Sequence, residues 1–213
     1  DFYSMTAEGG YNQLTSSTSP KLSGVYSSIF DINGEPETLG IAIAASYANR
    51  KFGSENVETG GKWDFEEGLE EFELRDYQIS RERAGLAFNV DYHPGNNNEY
   101  YLRTLYSEFS DEEERQALAT EFDQPQLAGA LGEAEIIRSL KQRKETQTIS
   151  ALVLGTRQVV GHFEWVLEGG ASKADEDTPF NIAGADFEQG LDDGVGFDNS
   201  HIPVLLAPSS AFD

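Results

Sequence analysis

The sequence predicts an all-β fold: an antiparallel up-and-down meander with long strands, part of a large transmembrane β-barrel. Three observations predict it. Segments with period-two alternation of apolar residues come in pairs. Each pair is joined by a short turn, at Asp31–Glu37, His93–Asn98 and Thr156–Gly161. Between pairs lie long acidic loops, Phe52–Phe72 and Ser110–Glu133, and a third that begins near Ser172, expected to face outside the cell and contribute to substrate entry. Short connections at one end and long ones at the other are the plan of an outer-membrane barrel, with the three turns on the periplasmic side.

The first strand reads from Leu22 to Phe30, and Asp31-Ile32-Asn33-Gly34 turns the chain. Asn-Gly supplies the positive φ values of a tight hairpin. Leu39–Arg50 returns with Leu39, Ile41 and Ile43 on one face and the small Gly40, Ala42 and Ala44 on the other. The second pair is the clearest. In Arg81–Tyr92, Ala84, Leu86, Phe88, Val90 and Tyr92 share a face opposite Arg83, Gly85, Ala87, Asn89 and Asp91. That run is close to the roughly 9–11 residues a tilted strand needs to cross a bilayer. His93-Pro94-Gly95-Asn96-Asn97-Asn98 is a turn by composition, and Tyr100–Phe109 returns from it. Tyr92, Tyr100 and Tyr101 flank this turn, where an interfacial aromatic girdle belongs.

The third pair is Glu135–Gly155 and His162–Ala174. The early half of the first strand is polar and is expected to project beyond the bilayer. In the return strand Phe163, Trp165 and Leu167 alternate with Glu164, Val166 and Glu168. One helix is expected, because Ser110-Asp111-Glu112-Glu113-Glu114 reads as an N-cap and acidic first turn leading to Thr120. After Asp177 the chain reads as irregular, with a short apolar run at Val204–Ala207.

Composition narrows the function. Hydrophobic residues make up 38% of the chain, low for a globular core but fitting strands that bury alternate residues. No apolar run reaches the roughly 18 residues of a membrane helix, and no secretory signal is present. The net charge of −23 argues against a nucleic-acid partner, since phosphate binding needs a basic surface. It also argues against docking on an anionic membrane surface. There is no cysteine, which excludes disulfides, zinc thiolates and cysteine nucleophiles.

Catalytic patterns are weak. His93, His162 and His201 lie far apart, and no Gly-x-Ser-x-Gly elbow or phosphate-binding glycine loop occurs. Paired carboxylates such as Glu164 and Glu168, which share a strand face, could do glycosidase work, but a polar lumen explains them more simply. Asp192-Asp193-Gly194 through Asp198-Asn199 faintly resembles a calcium loop without its closing Glu. The reading is therefore non-catalytic, with no metal and no cofactor. Candidate ligand contacts are Trp63 and Phe65, aromatics in an acidic stretch that either stack on sugar rings or pack within their own loop.

Particular stretches resemble TonB-dependent outer-membrane receptors, closest to the subgroup of polysaccharide-degrading proteobacteria. They are Ser19-Pro20-Lys21-Leu22-Ser23-Gly24-Val25-Tyr26-Ser27, and Leu39-Gly40-Ile41-Ala42 leading to Ser46-Tyr47 and Arg50. Glu58-Thr59-Gly60-Gly61 with Trp63, and Leu74-Arg75-Asp76-Tyr77 running into Arg81-Glu82-Arg83, belong with them. So does Tyr101-Leu102-Arg103 through Tyr106 to Asp111. The resemblance extends from about Tyr3 to Asp177. It implies a barrel in a Gram-negative outer membrane, closed around a plug and driven by TonB. It implies as cargo an extracellular oligosaccharide before a ferric siderophore. No plug and no TonB-box segment is recognisable, so residues 1–213 read as a partial barrel domain, a fragment excised or processed from a longer chain. Its open sheet edges are expected to pair with other chains. The rival readings are a soluble β-sandwich, as a carbohydrate-binding or adhesin module, and an acidic glycoside hydrolase. The sandwich predicts turn signals every 8–12 residues, closer than those seen.

Overall fold

The computed structural model describes residues 1–95, 97–200 and 204–206. It is all-β, without a helix among the described residues. The strands are β1 (Phe2–Asn12), β2 (Ser17–Ile32), β3 (Glu35–Glu58), β4 (Trp63–Asp64), β5 (Gly68–Tyr92), β6 (Asn98–Gln126), β7 (Leu131–Val160), β8 (Phe163–Asp198) and β9 (Val204–Leu206). They form one sheet in the order β1-β2-β3-β5-β6-β7-β8-β9, with β4 on β5. This is the expected meander. The sheet is not closed, so β1 has one unpaired edge.

The hairpin tips follow turn chemistry. Between β2 and β3, Asn33 (φ 54°) and Gly34 (φ 83°) both lie in the left-handed region, as a type I′ turn requires. A register irregularity between Phe30 and Ile32 follows, and the Glu37 N–H donates to Asp31 Oδ1 at 2.8 Å. The β7–β8 tip is tighter than Thr156–Gly161, because β7 runs through Val160 and only Gly161 and His162 turn.

Several expectations need correction. Ser110–Thr120 is not a helix but lies within β6. The acidic stretch Ser110–Glu133 is mostly strand, interrupted only by residues 127–130, and Phe52–Phe72 is interrupted only around β4. The third long connection near Ser172 and the irregular chain after Asp177 are both inside β8. Strand pairing overrides local propensity here. Glu113 is bridged to Lys141 at 3.0 Å and Glu114 accepts from Gln142 at 3.0 Å, so the carboxylates of β6 are met across the ladder by β7. The apolar run near Val204 does start a strand, while Ala207 and His201 lie outside the described residues. β1 carries no turn signal before it and was not expected.

The chain divides into two compact units. Unit 1 comprises Asp1–Lys51, Ser80–Asp111 and Lys144–Pro179; unit 2 comprises Phe52–Ile79, Glu112–Arg143 and Phe180–Asp213. Unit 2 holds the apolar core. Leu69, Phe72, Phe122, Ala134, Val195 and Phe197 are buried together, with Trp63, Leu191 and Leu205 packed against them. Phe72–Phe122 and Phe122–Phe197 lie at centroid separations of 6.3 and 6.1 Å, within the range of favourable aromatic pairs.

Candidate functional site

Unit 1 has two chemically distinct faces, and the strand registers define them. Residues directly opposite each other in an antiparallel ladder share a face. Tyr3 pairs Tyr26, and Tyr26 pairs Ile43; Ala7 pairs Leu22, and Leu22 pairs Tyr47. Met5, Phe30, Leu39 and Ile41 fall on this face by the same registers. Ser4, Thr6, Glu8, Lys21, Ser23, Ala42, Ala44 and Ser46 fall on the other, together with the apolar Phe2, Val25 and Ile29.

Side-chain contacts carry the division through the later strands. On the apolar face Tyr47 and Asn49 donate to Glu82 at 3.2 and 2.7 Å, and Tyr92 stacks on Tyr100 at 6.2 Å. Alternation then places Leu86, Phe88, Leu102, Leu152, Leu154, Phe163, Trp165 and Leu167 on the apolar face. Many are open to the outside: Leu154 is 56% and Leu167 65% exposed. A furrow of about 820 Å3 runs between Tyr92, Tyr100, Leu152, Leu154 and Leu167, where Gly169 and Ala171 leave room.

The opposite face carries the ion pairs, although Leu105, Ile149 and Val166 are also exposed on it. Arg81 meets Asp111 at 3.0 Å, Arg157 meets Glu164 at 2.7 Å, and Arg103 meets Asp91. The Arg83 guanidinium lies 5.1 Å from the Phe109 ring centroid, and Arg103 lies equally close to Tyr101. Tyr101 donates to Glu168 Oε2 at 2.7 Å. Glu164 and Glu168 thus hold an arginine and a tyrosine, respectively.

In unit 2 the predicted ligand contacts sit side by side but in different surroundings. Trp63 lies 5.1 Å from Phe65 and 5.9 Å edge-on to Phe197, so it belongs partly to the core. Phe65 is 81% exposed. Asp64 between them accepts the N–H groups of Glu66 and Glu67 at 2.7 and 3.1 Å. Those bonds favour its ionised form and hold its carboxyl below the ordinary aspartate range. Lys62 is raised above the ordinary lysine value, first by its hydrogen bond to Glu71 and then by that carboxylate's charge. Burial opposes the charge of Arg75, but bonds to Glu73 and Tyr77 and the charge of Glu58 outweigh it and raise its pKa.

A groove of about 990 Å3, which the sequence did not indicate, also lies in unit 2. Five strands contribute to it, and its lining mixes Leu74, Leu118, Leu140 and Phe187 with Asn56, Asp76, Glu114, Gln116 and Arg138. Such a site is invisible to a scan for local motifs, because its residues come from five separate strands, β3 and β5 to β8. Among the described residues no group of three or more His, Cys, Asp or Glu gathers as a metal site, and Asp192, Asp193 and Asp198 do not converge. Nor is any helix long and apolar enough to cross a membrane. The sequence matches no protein-family model, and no curated protein or solved structure is significantly similar to it.

Proposed function

We propose that this chain is a section of the wall of a TonB-dependent outer-membrane transporter that takes up a large nutrient, an oligosaccharide before a ferric siderophore. The observation that carries the reading is the two-faced sheet of unit 1. An exposed apolar face backed by an ion-paired polar face suits a wall with lipid outside and water inside. A single soluble layer would leave that apolar face uncovered. Strand length agrees. β3 and β5 to β8 run from 24 to 36 residues, beyond the roughly 9–11 needed to cross a bilayer. The remaining length builds unit 2, which carries its own core and needs no lipid. In this reading the wall is completed by further strands, a plug fills it, and TonB acts through the plug.

Trp165 provides the test, since the chain has only two tryptophans. A Trp63→Phe variant leaves Trp165 as the sole indole. Reconstituted in phosphatidylcholine vesicles with brominated acyl chains, it should lose most of its emission, and aqueous acrylamide should quench it little. A water-soluble chain whose Trp165 responds to acrylamide but not to brominated lipid would sink the proposal and favour the soluble sandwich.

A further inference from the structure

The groove of unit 2 differs from the apolar face of unit 1 in one respect that bears on ligand chemistry. Its apolar side chains are interleaved with hydrogen-bonding groups already held in place. Glu114 Oε1 accepts from Gln116 Nε2 at 3.1 Å, and Glu114 Oε2 accepts from Gln142 Nε2 at 3.0 Å. Both amides are thereby oriented, leaving the Gln116 carbonyl oxygen and the outer lone pairs of Glu114 as fixed acceptors. Fixed acceptors select a ligand rich in hydroxyl donors. Phe187, 76% exposed, presents a ring face in the same groove, and Leu74, Leu118 and Leu140 supply apolar surface.

Charge narrows the class further. Glu55, Asp76 and Glu114 outnumber Arg75 and Arg138 in the lining, and the chain as a whole carries −23. An anionic ligand is therefore disfavoured. No carboxylate cage is present for a cation among the described residues. A ligand with apolar C–H patches and many hydroxyls meets both halves of the lining. The volume falls at the upper end of the roughly 300–1,000 Å3 typical of small-ligand sites.

We infer that this groove binds a short neutral oligosaccharide, with Phe187 stacking on a sugar ring and Gln116 and Glu114 accepting its hydroxyls. The inference rests on the proposed uptake of oligosaccharide and gives that uptake a residue-level contact. It fails separately from it, because lipid quenching of Trp165 does not involve the groove.

The test is isothermal titration of the full chain in detergent with neutral hexasaccharides of the α-glucan, β-glucan and xylan types. At least one should bind. Phe187→Ala and Gln116→Ala should each weaken that binding tenfold or more. Phe163→Ala, which removes an equally exposed ring from unit 1, should leave it unchanged. The inference is overturned if none of the three binds, or if Phe163→Ala weakens binding as much as Phe187→Ala. Displacement of the sugar by an alkyl detergent in proportion to its concentration would overturn it too, assigning the groove to acyl chains.

Discussion

The ring of Tyr101 occupies the space above Gly155 that any side chain at residue 155 would need. From there its hydroxyl reaches Glu168 on β8 at 2.7 Å, while the Arg103 guanidinium lies 5.1 Å from its ring centroid. One glycine thus lets an aromatic bridge three strands on the polar face. Gly155→Ala should evict the ring and separate Tyr101 from Glu168. The clash is with the far end of a movable side chain, so the loss should stay below the roughly 1–3 kcal/mol of overpacking in a closed core. Denaturant unfolding should show the loss, and Tyr101→Leu in the Gly155→Ala background should add little to it. Full additivity of the two changes would count against the arrangement.

Face chemistry makes a paired prediction on β7. Leu152 lies on the apolar face and Ile149 on the polar one, both partly exposed at 43% and 48%. An arginine facing lipid near the midplane of a bilayer costs about 2–4 kcal/mol. Leu152→Arg should therefore lower the stability of the reconstituted chain by that order, while Ile149→Arg changes it little. Equal effects in lipid would contradict the proposed wall.

Phe72 anchors unit 2 at 1% exposure, against Phe122. Phe72→Ala should destabilise that unit by about 3–5 kcal/mol, as large-to-small core substitutions do. Amide exchange should rise across residues 52–79 and 112–143 more than across 80–111. Trp63→Ala should act in the same direction, and Phe65→Ala, at a side chain 81% exposed, should not. A stability loss confined to Phe65→Ala would reverse the assignment of the two aromatics.

Asp64 gives a pH dependence with a defined sign. Its folded-state pKa lies below that of an unfolded aspartate, because the Glu66 and Glu67 amides bond its carboxylate. Its contribution to order is complete above the unfolded value and is lost as pH falls through the lowered, folded value. Amide proton shifts of Glu66 and Glu67 should move together at a pH below the ordinary aspartate range. In Asp64→Asn that shared transition should vanish.

Much of the meander was legible because its strands alternate and its tips carry Asn33-Gly34 or Gly161. The faces of Arg81–Tyr92 were readable from sequence and match the contacts of Arg103 with Asp91 and of Tyr92 with Tyr100. What failed was any stretch where glutamate and alanine dominate. Glu112 to Ala119 favours helix locally, yet Ala117 and Ala119 are buried in a strand whose charges find partners on β7. Cross-strand partners are not visible to a local reading. β8 failed for a second reason: Ser172 to Phe180 is exposed on both faces, so it carries no alternation to detect. The unit 2 groove escaped because five strands must assemble before it exists.

Every ladder in the sheet joins strands that follow one another along the chain, with β4 a side branch on β5. The fold therefore has a natural order of growth. Each new hairpin needs only its predecessor as a template, so little loop entropy separates one step from the next. Removing β1 would erase a single ladder of 11 residue pairs and leave every later one intact. Evolution, or an engineer, can lengthen or shorten such a wall one hairpin at a time without renegotiating what lies beyond it.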